Sequence, residues 1–120
     1  MHEEELLDQL RREFAAAEGT FLLNLRGDRI EWDRPAFSRL EKTMRWACQR
    51  FREHDQLDRW MADGFYEVSR FVRNWTSRPN FPRPGPEQYY NDCIERLDDL
   101  ADWFFRRYHG YVEPHQWPDL

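Results

Sequence analysis

The chain has two cysteines, one lysine and no long apolar run, and each scarcity removes a class of protein. Cys48 and Cys93 stand apart, with no CxxC pair and no Cys/His cluster around them, so no metal site of that kind is written into the sequence. Both fall on apolar helix faces and are expected as small buried hydrophobes with free thiols in a reducing compartment, a bridge between two helices being the alternative. No stretch approaches the roughly 20 apolar residues of a membrane span. The start, MHEEELLDQLRREF, lacks the basic opening and apolar run of a signal peptide, so a cytoplasmic chain is expected. Basic residues do not gather into a tail or domain, and the net charge is −5, which argues against nucleic-acid binding. HExxH, ExxH, GxSxG and a glycine-rich phosphate loop are all missing, so no catalytic residue, metal or cofactor is expected. There is no internal repeat and no low-complexity segment.

Against these absences stand 20 aromatic residues in 120, with a mean hydropathy of −1.02. Large rings bury more area per residue than aliphatic chains, so a highly charged sequence can still fill one core. The length suits one domain, residues 1–120. Most of the aromatics recur at helical spacing, opposite faces crowded with Arg, Asp and Glu. The expected fold is therefore all-α: a small four-helix bundle, with one irregular connection over 19–33 and a proline-rich loop over 76–86.

The first helix is expected over about 3–18, with Leu6, Leu7, Leu10, Phe14 and Ala17 on its stripe and Gly19 as C-cap. Residues 20–33 are ambiguous. Phe21, Leu23 and Leu25 alternate like a strand, yet Phe21 and Leu25 also continue the helical stripe, which favours a short helical turn and a loop packed on the core. Asp33 caps a second helix, with Pro35 in its first turn and Phe37, Leu40, Met44, Ala47, Cys48 and Phe51 inward, ending near His54. A third helix is expected from an Asp55 cap, burying Leu57, Met61, Phe65, Val68, Phe71, Val72 and Trp75. Gly64 sits on that face, where it suits a close helix approach. Pro86 opens the fourth helix, which runs to Gly110 with Tyr89, Tyr90, Cys93, Ile94, Leu97, Leu100, Ala101, Phe104, Phe105 and Tyr108 inward. An extended tail, 111–120, follows.

Two constellations invite a chemical reading. Asp98, Asp99 and Asp102 form a DDxxD pattern of the kind that holds Mg²⁺ in isoprenoid synthases, but they point away from the aromatic stripe and read as a solvated acidic face. His54-Asp55 resembles the central dipeptide of the HD phosphohydrolases, which are also all-helical. The only upstream histidine is His2, however, and a helix cap accounts for Asp55 without metal. His109, Glu113 and His115 share no fixed face.

Function is expected at the surface, as a non-enzymatic protein-interaction module of the adaptor, inhibitor or immunity type. Its candidate partner-binding residues are Trp46, set almost opposite the second helix's buried stripe among Arg39, Lys42 and Arg50, together with Phe81 and Trp117 in proline-rich segments. Intramolecular cover for Trp46, and a homodimer burying it, are alternatives. The competing class is a small-ligand binder or enzyme whose bundle encloses a pocket lined by His54, Trp75, Tyr89, Tyr90, Tyr108 and His109. No nucleic-acid or membrane partner is expected.

Overall fold

The computed structural model describes residues 3–26, 31–79, 81, 85–107 and 118–120. These residues form five α-helices and no strand: α1 (Glu3–Phe14), α2 (Phe21–Arg26), α3 (Arg34–Arg50), α4 (Arg59–Thr76) and α5 (Glu87–Arg106). Helices α4 and α5 pack along their length, α3 lies against α5, and α1 bridges α3 and α4, with α2 tucked between α1 and α3.

Helix α1 carries Glu3, Glu4 and Glu5 at its positive end and Arg11 and Arg12 at its negative end, which favours the macrodipole. It stops four residues before the expected end. Ala16 takes the left-handed conformation (φ 54°), the Ala17 N–H reaches back to the Arg12 carbonyl, and the Ala16 N–H bonds the Glu13 carbonyl. This is a Schellman closure built on alanine rather than on Gly19. Thr20 then starts α2: its hydroxyl donates to the Ala17 carbonyl at 2.6 Å and accepts from the Leu23 N–H at 3.4 Å. Phe21, Leu22 and Leu25 are buried, so the first part of the ambiguous stretch, Phe21–Arg26, is a short helix, and residues 27–30 lie outside the described residues.

Asp33 caps α3 by accepting the Ala36 N–H at 3.1 Å, and its other oxygen holds Asn24 of α2 at 3.2 Å. Helix α3 ends at Arg50, short of His54. Helix α4 begins at Arg59 with Asp58, not Asp55, at its cap. Asp55 is drawn instead into an ion pair with Arg107, whose guanidinium also binds the His54 carbonyl, and this holds residues 54–58 out of the helix. Leu57 is consequently exposed rather than part of the buried stripe. Pro86 is the cap residue of α5, outside the helix, and Arg107 (φ 70°) ends the helix ahead of Gly110.

The core holds most of the expected stripes, though not Leu6, Ala17 or Ala101, with Phe65 and Phe104 stacked at 4.1 Å between α4 and α5. Phe105 departs from its stripe and is exposed, while Trp103 is buried. Gly64 admits the Phe14 ring where a side chain would be, so α1 and α4 approach closely there. A second aromatic cluster surrounds Trp32, with Phe21, Phe37, Tyr89, Tyr90 and Phe81 within 6.3 Å, ring to ring. Trp32 donates its indole N–H to the Tyr89 hydroxyl at 3.0 Å, which satisfies both groups.

Among the described residues, three charged side chains lie within this apolar interior: Glu13, Glu41 and Arg96. Each occupies a stripe position, three or four residues from a buried apolar neighbour. Arg96 also donates to the Pro118 carbonyl at 2.9 Å, and Leu120 packs on the core, so the end of the chain is seated over α3 and α5.

Candidate interaction surface

The cationic face of α3 is largely engaged by the protein itself. Arg39 donates to Glu13 at 3.4 Å and to the Gly19 carbonyl at 2.7 Å. Lys42 lies 3.7 Å from Asp119, and Arg50 pairs with Glu3 while covering the Phe51 ring. Trp46 is half-buried, set edge-on to Phe51 at 5.9 Å and packed on the core. Phe81 is buried in the Trp32 cluster, as are Tyr89 and Tyr90. His54 is exposed and sits edge-on to Phe51, beside a cleft of about 200 Å³. Trp117, Tyr108 and His109 lie outside the described residues, as do Glu113 and His115.

The acidic face of α5 is not wholly solvated. Asp98 is half-buried, accepts the Ser69 hydroxyl at 2.8 Å and pairs with Arg73, so it ties α5 to α4. Among the described residues no group of three or more His, Cys, Asp or Glu side chains is placed to hold a metal ion.

A different surface emerges along the outer side of α4. Residues 60, 67, 71, 74 and 75 follow helical spacing beside the buried stripe, and residue 78 continues the band just past the Ser77 cap. Four arginines lie over aromatic rings of this helix. Arg11 from α1 covers Trp60 at 4.7 Å, and Arg26 from α2 covers Phe71 at 4.5 Å. Arg70 lies 5.2 Å from the Tyr66 ring and donates to its hydroxyl, and Arg78 covers Trp75 at 4.0 Å. Phe71 and Trp75 stack on each other at 5.3 Å with planes 19° apart. Four such approaches gather on the rings of this one helix, whereas Arg34 over Tyr89 and Arg50 over Phe51 lie apart from it, which marks the band out from the rest of the described surface.

Two open clefts follow the band and share Glu67. One of about 390 Å³ lies between α1, α2 and α4, lined by Arg11, Phe14, Arg26, Trp60, Asp63 and Gly64. The other, of about 480 Å³, runs over Tyr66, Arg70, Phe71, Asn74, Trp75 and Arg78. Among the described residues, none of these four arginines forms an ion pair with a carboxylate, in contrast to Arg39, Arg45, Arg50, Arg73, Arg96 and Arg107. The Trp75 indole N–H is buried with no acceptor among the described residues. Sequence reasoning assigned Phe71 and Trp75 to the core stripe and overlooked the arginines, because two of the four come from other helices. The usable signal was the i, i+4 run of Tyr66, Arg70, Asn74 and Arg78.

Interior nucleophiles are poorly placed for chemistry. Burial pushes the Cys93 thiol up to about 12 and raises the Cys48 thiol and the Tyr89 hydroxyl as well, so all three stay protonated near neutral pH. Comparisons of the chain with protein-family models, with curated proteins and with solved structures give no match. No described helix is long and apolar enough to cross a membrane.

Proposed function

We propose that the protein is a non-enzymatic interaction module, a four-helix bundle braced by the short α2 and the proline-rich connection, that presents the arginine–aromatic band of α4 to a protein partner. One observation carries the reading: arginines held over Tyr66, Phe71 and Trp75 by the rings beneath them, with no carboxylate partner among the described residues. Trp, Tyr and Arg are the residues that dominate binding energy at protein interfaces. An Arg already oriented on a ring loses less freedom when it binds than a free one does. The α3 face around Trp46, with Arg39, Lys42 and Arg50, is the second surface, although a partner there would first have to displace internal contacts. Enclosed-pocket chemistry gains less support, since Tyr89 and Tyr90 fill the Trp32 cluster. The buried free thiols of Cys48 and Cys93 suit a reducing, cytoplasmic setting.

The test is site-specific photo-crosslinking in the native host cell, with the photoreactive residue replacing Tyr66 on α4, Gln49 on α3 or Glu5 on α1. A discrete protein adduct from position 66 alone is the expected result. An adduct from position 49 alone moves the interface to α3. If no position gives an adduct and native mass spectrometry of the isolated protein finds a bound small molecule, the module reading fails.

A further inference from the structure

We propose that the C-terminal half of the α4 band docks an acidic segment of a partner protein, one in which carboxylates bracket an apolar side chain. This rests on the interaction-module reading and names the chemistry of the partner. Arg70 and Arg78 flank the stacked Phe71–Trp75 pair, with Glu67 the one carboxylate lining that shelf among the described residues, and Arg26 reaches over Phe71 from the neighbouring cleft, which it lines with Asp63 and Glu67. The shelf is thus locally cationic on a chain whose net charge is −5.

The geometry of the arginines narrows the occupant. A guanidinium lying over a ring keeps its N–H edge available, and that edge matches a carboxylate in a bidentate pair. Each cation here lies on an aromatic ring and, among the described residues, forms no ion pair, although Arg70 donates to the Tyr66 hydroxyl and Glu67 lines the same shelf. Between the cations, the half-buried Phe71 and Trp75 offer apolar area for one anchoring side chain. Arg70 is six residues before the end of α4 at Thr76 and Arg78 follows just past the Ser77 cap, so the two lie on the order of 12 Å apart along that course. Acids about seven or eight residues apart on a docked helix, or about four apart on an extended segment, span that interval.

Single-stranded nucleic acid would also use stacked rings and arginines. It is the weaker fit. Its affinity depends on many phosphate contacts, and here three arginines sit on a body that repels a long polyanion. A short acidic segment asks for two or three contacts, and at physiological salt the charge of the rest of the chain is screened beyond about 8 Å.

The experiment pans a random 16-residue peptide library displayed on phage against the full chain, then measures labelled peptides and labelled dT20 by fluorescence anisotropy. Selected peptides should carry Asp or Glu on both sides of an apolar residue. Their Kd should weaken at least tenfold in Arg70→Glu/Arg78→Glu and rise steeply between 50 and 300 mM salt. Arg52→Glu, exposed in the connection before α4 and so at the opposite end of that helix, should bind normally. Circular dichroism should show the double variant folded, since both substituted side chains are exposed. Neutral or basic selected peptides, or unchanged binding by the double variant, would overturn the proposal, as would dT20 binding more tightly than any peptide. If position 66 still crosslinks a partner while acidic peptides fail, the acidic chemistry falls and the module stands. Loss of both removes both.

Discussion

Arg96 and Glu41 form an ion pair inside the protein, with Nη1 2.8 Å from Oε1 and side chains only 4% and 1% exposed. The second Glu41 oxygen accepts from Arg45 at 3.1 Å, and the second Arg96 amino group donates to the Pro118 carbonyl. Desolvating two charges is costly, and this arrangement is tolerable because the partners saturate one another. The pair also joins α3, α5 and the end of the chain, so it acts as a register between three segments.

Removing one partner should therefore cost far more than removing both. Glu41→Ala leaves Arg96 buried without its acid and is expected to lose about 3–5 kcal/mol. The double change Glu41→Met/Arg96→Leu keeps volume without charge and should recover most of that loss. Urea denaturation of the three proteins checks it, and equal losses in the single and double variants would refute it.

Gly64 and Phe14 set the approach of α1 to α4. A methyl group at position 64 would overlap the Phe14 ring, which is itself held edge-on to Phe65 at 5.6 Å. Gly64→Ala gains helix propensity of about 1 kcal/mol but must push the ring aside, so a net loss of about 1–2 kcal/mol is expected. Adding Phe14→Leu should relieve part of it. A Gly64→Ala protein with a higher melting temperature would show that the contact is slack.

Helix positions and apolar stripes were legible because periodicity reports burial directly. The Asp33 cap and the close approach at Gly64 were readable for the same reason: each is a local rule with a local signature. Glu13, Glu41 and Arg96 were missed although all three lie on stripe positions, because a charge there is buried only if a partner arrives from another helix. Asp55 failed as a cap for a similar cause, since Arg107, 52 residues away, competes for it. The arginine–aromatic band has the same character. Its rings share one helix, but Arg11 and Arg26 arrive from α1 and α2, and no spacing along the chain encodes that.

Glu13 should make stability depend on pH in the sense opposite to most carboxylates. Its side chain is fully buried near the Phe21 backbone N–H, Oε2 is held by Gln9 and Arg39, and Oε1 is left without a well-formed hydrogen bond among the described residues. Burial raises its pKa above the ordinary value of 4.5, and the Gln9 and Arg39 contacts offset this only in part. The folded state therefore holds the proton more tightly than the unfolded state. Stability from this group falls as pH climbs from the unfolded value through the folded one, and recovers on acidification. Glu13→Gln should flatten that segment of the profile and melt higher at pH 7. Thermal melts from pH 4.5 to 7.5 decide the matter, and a Glu13→Gln profile parallel to the parent's would remove Glu13 as the cause.

Ala16 offers the reverse opportunity, a local cost that one substitution relieves. Its left-handed backbone closes α1 and aims the chain into Thr20 and α2, yet an alanine there is disfavoured by about 1–2 kcal/mol. Ala16→Gly removes that penalty, while the added freedom of the unfolded chain takes back about 0.5–1 kcal/mol. The half-buried methyl group packs on the edge of the core, and its loss takes back a further part of the gain. A net gain of at most about 0.5–1 kcal/mol is expected, with no change at the α4 band. Denaturant midpoints measure the gain. Because the Schellman bonds use backbone atoms alone, amide exchange at Ala17 should slow in the Ala16→Gly protein; faster exchange there would mean that the alanine side chain, rather than the turn, holds the end of α1.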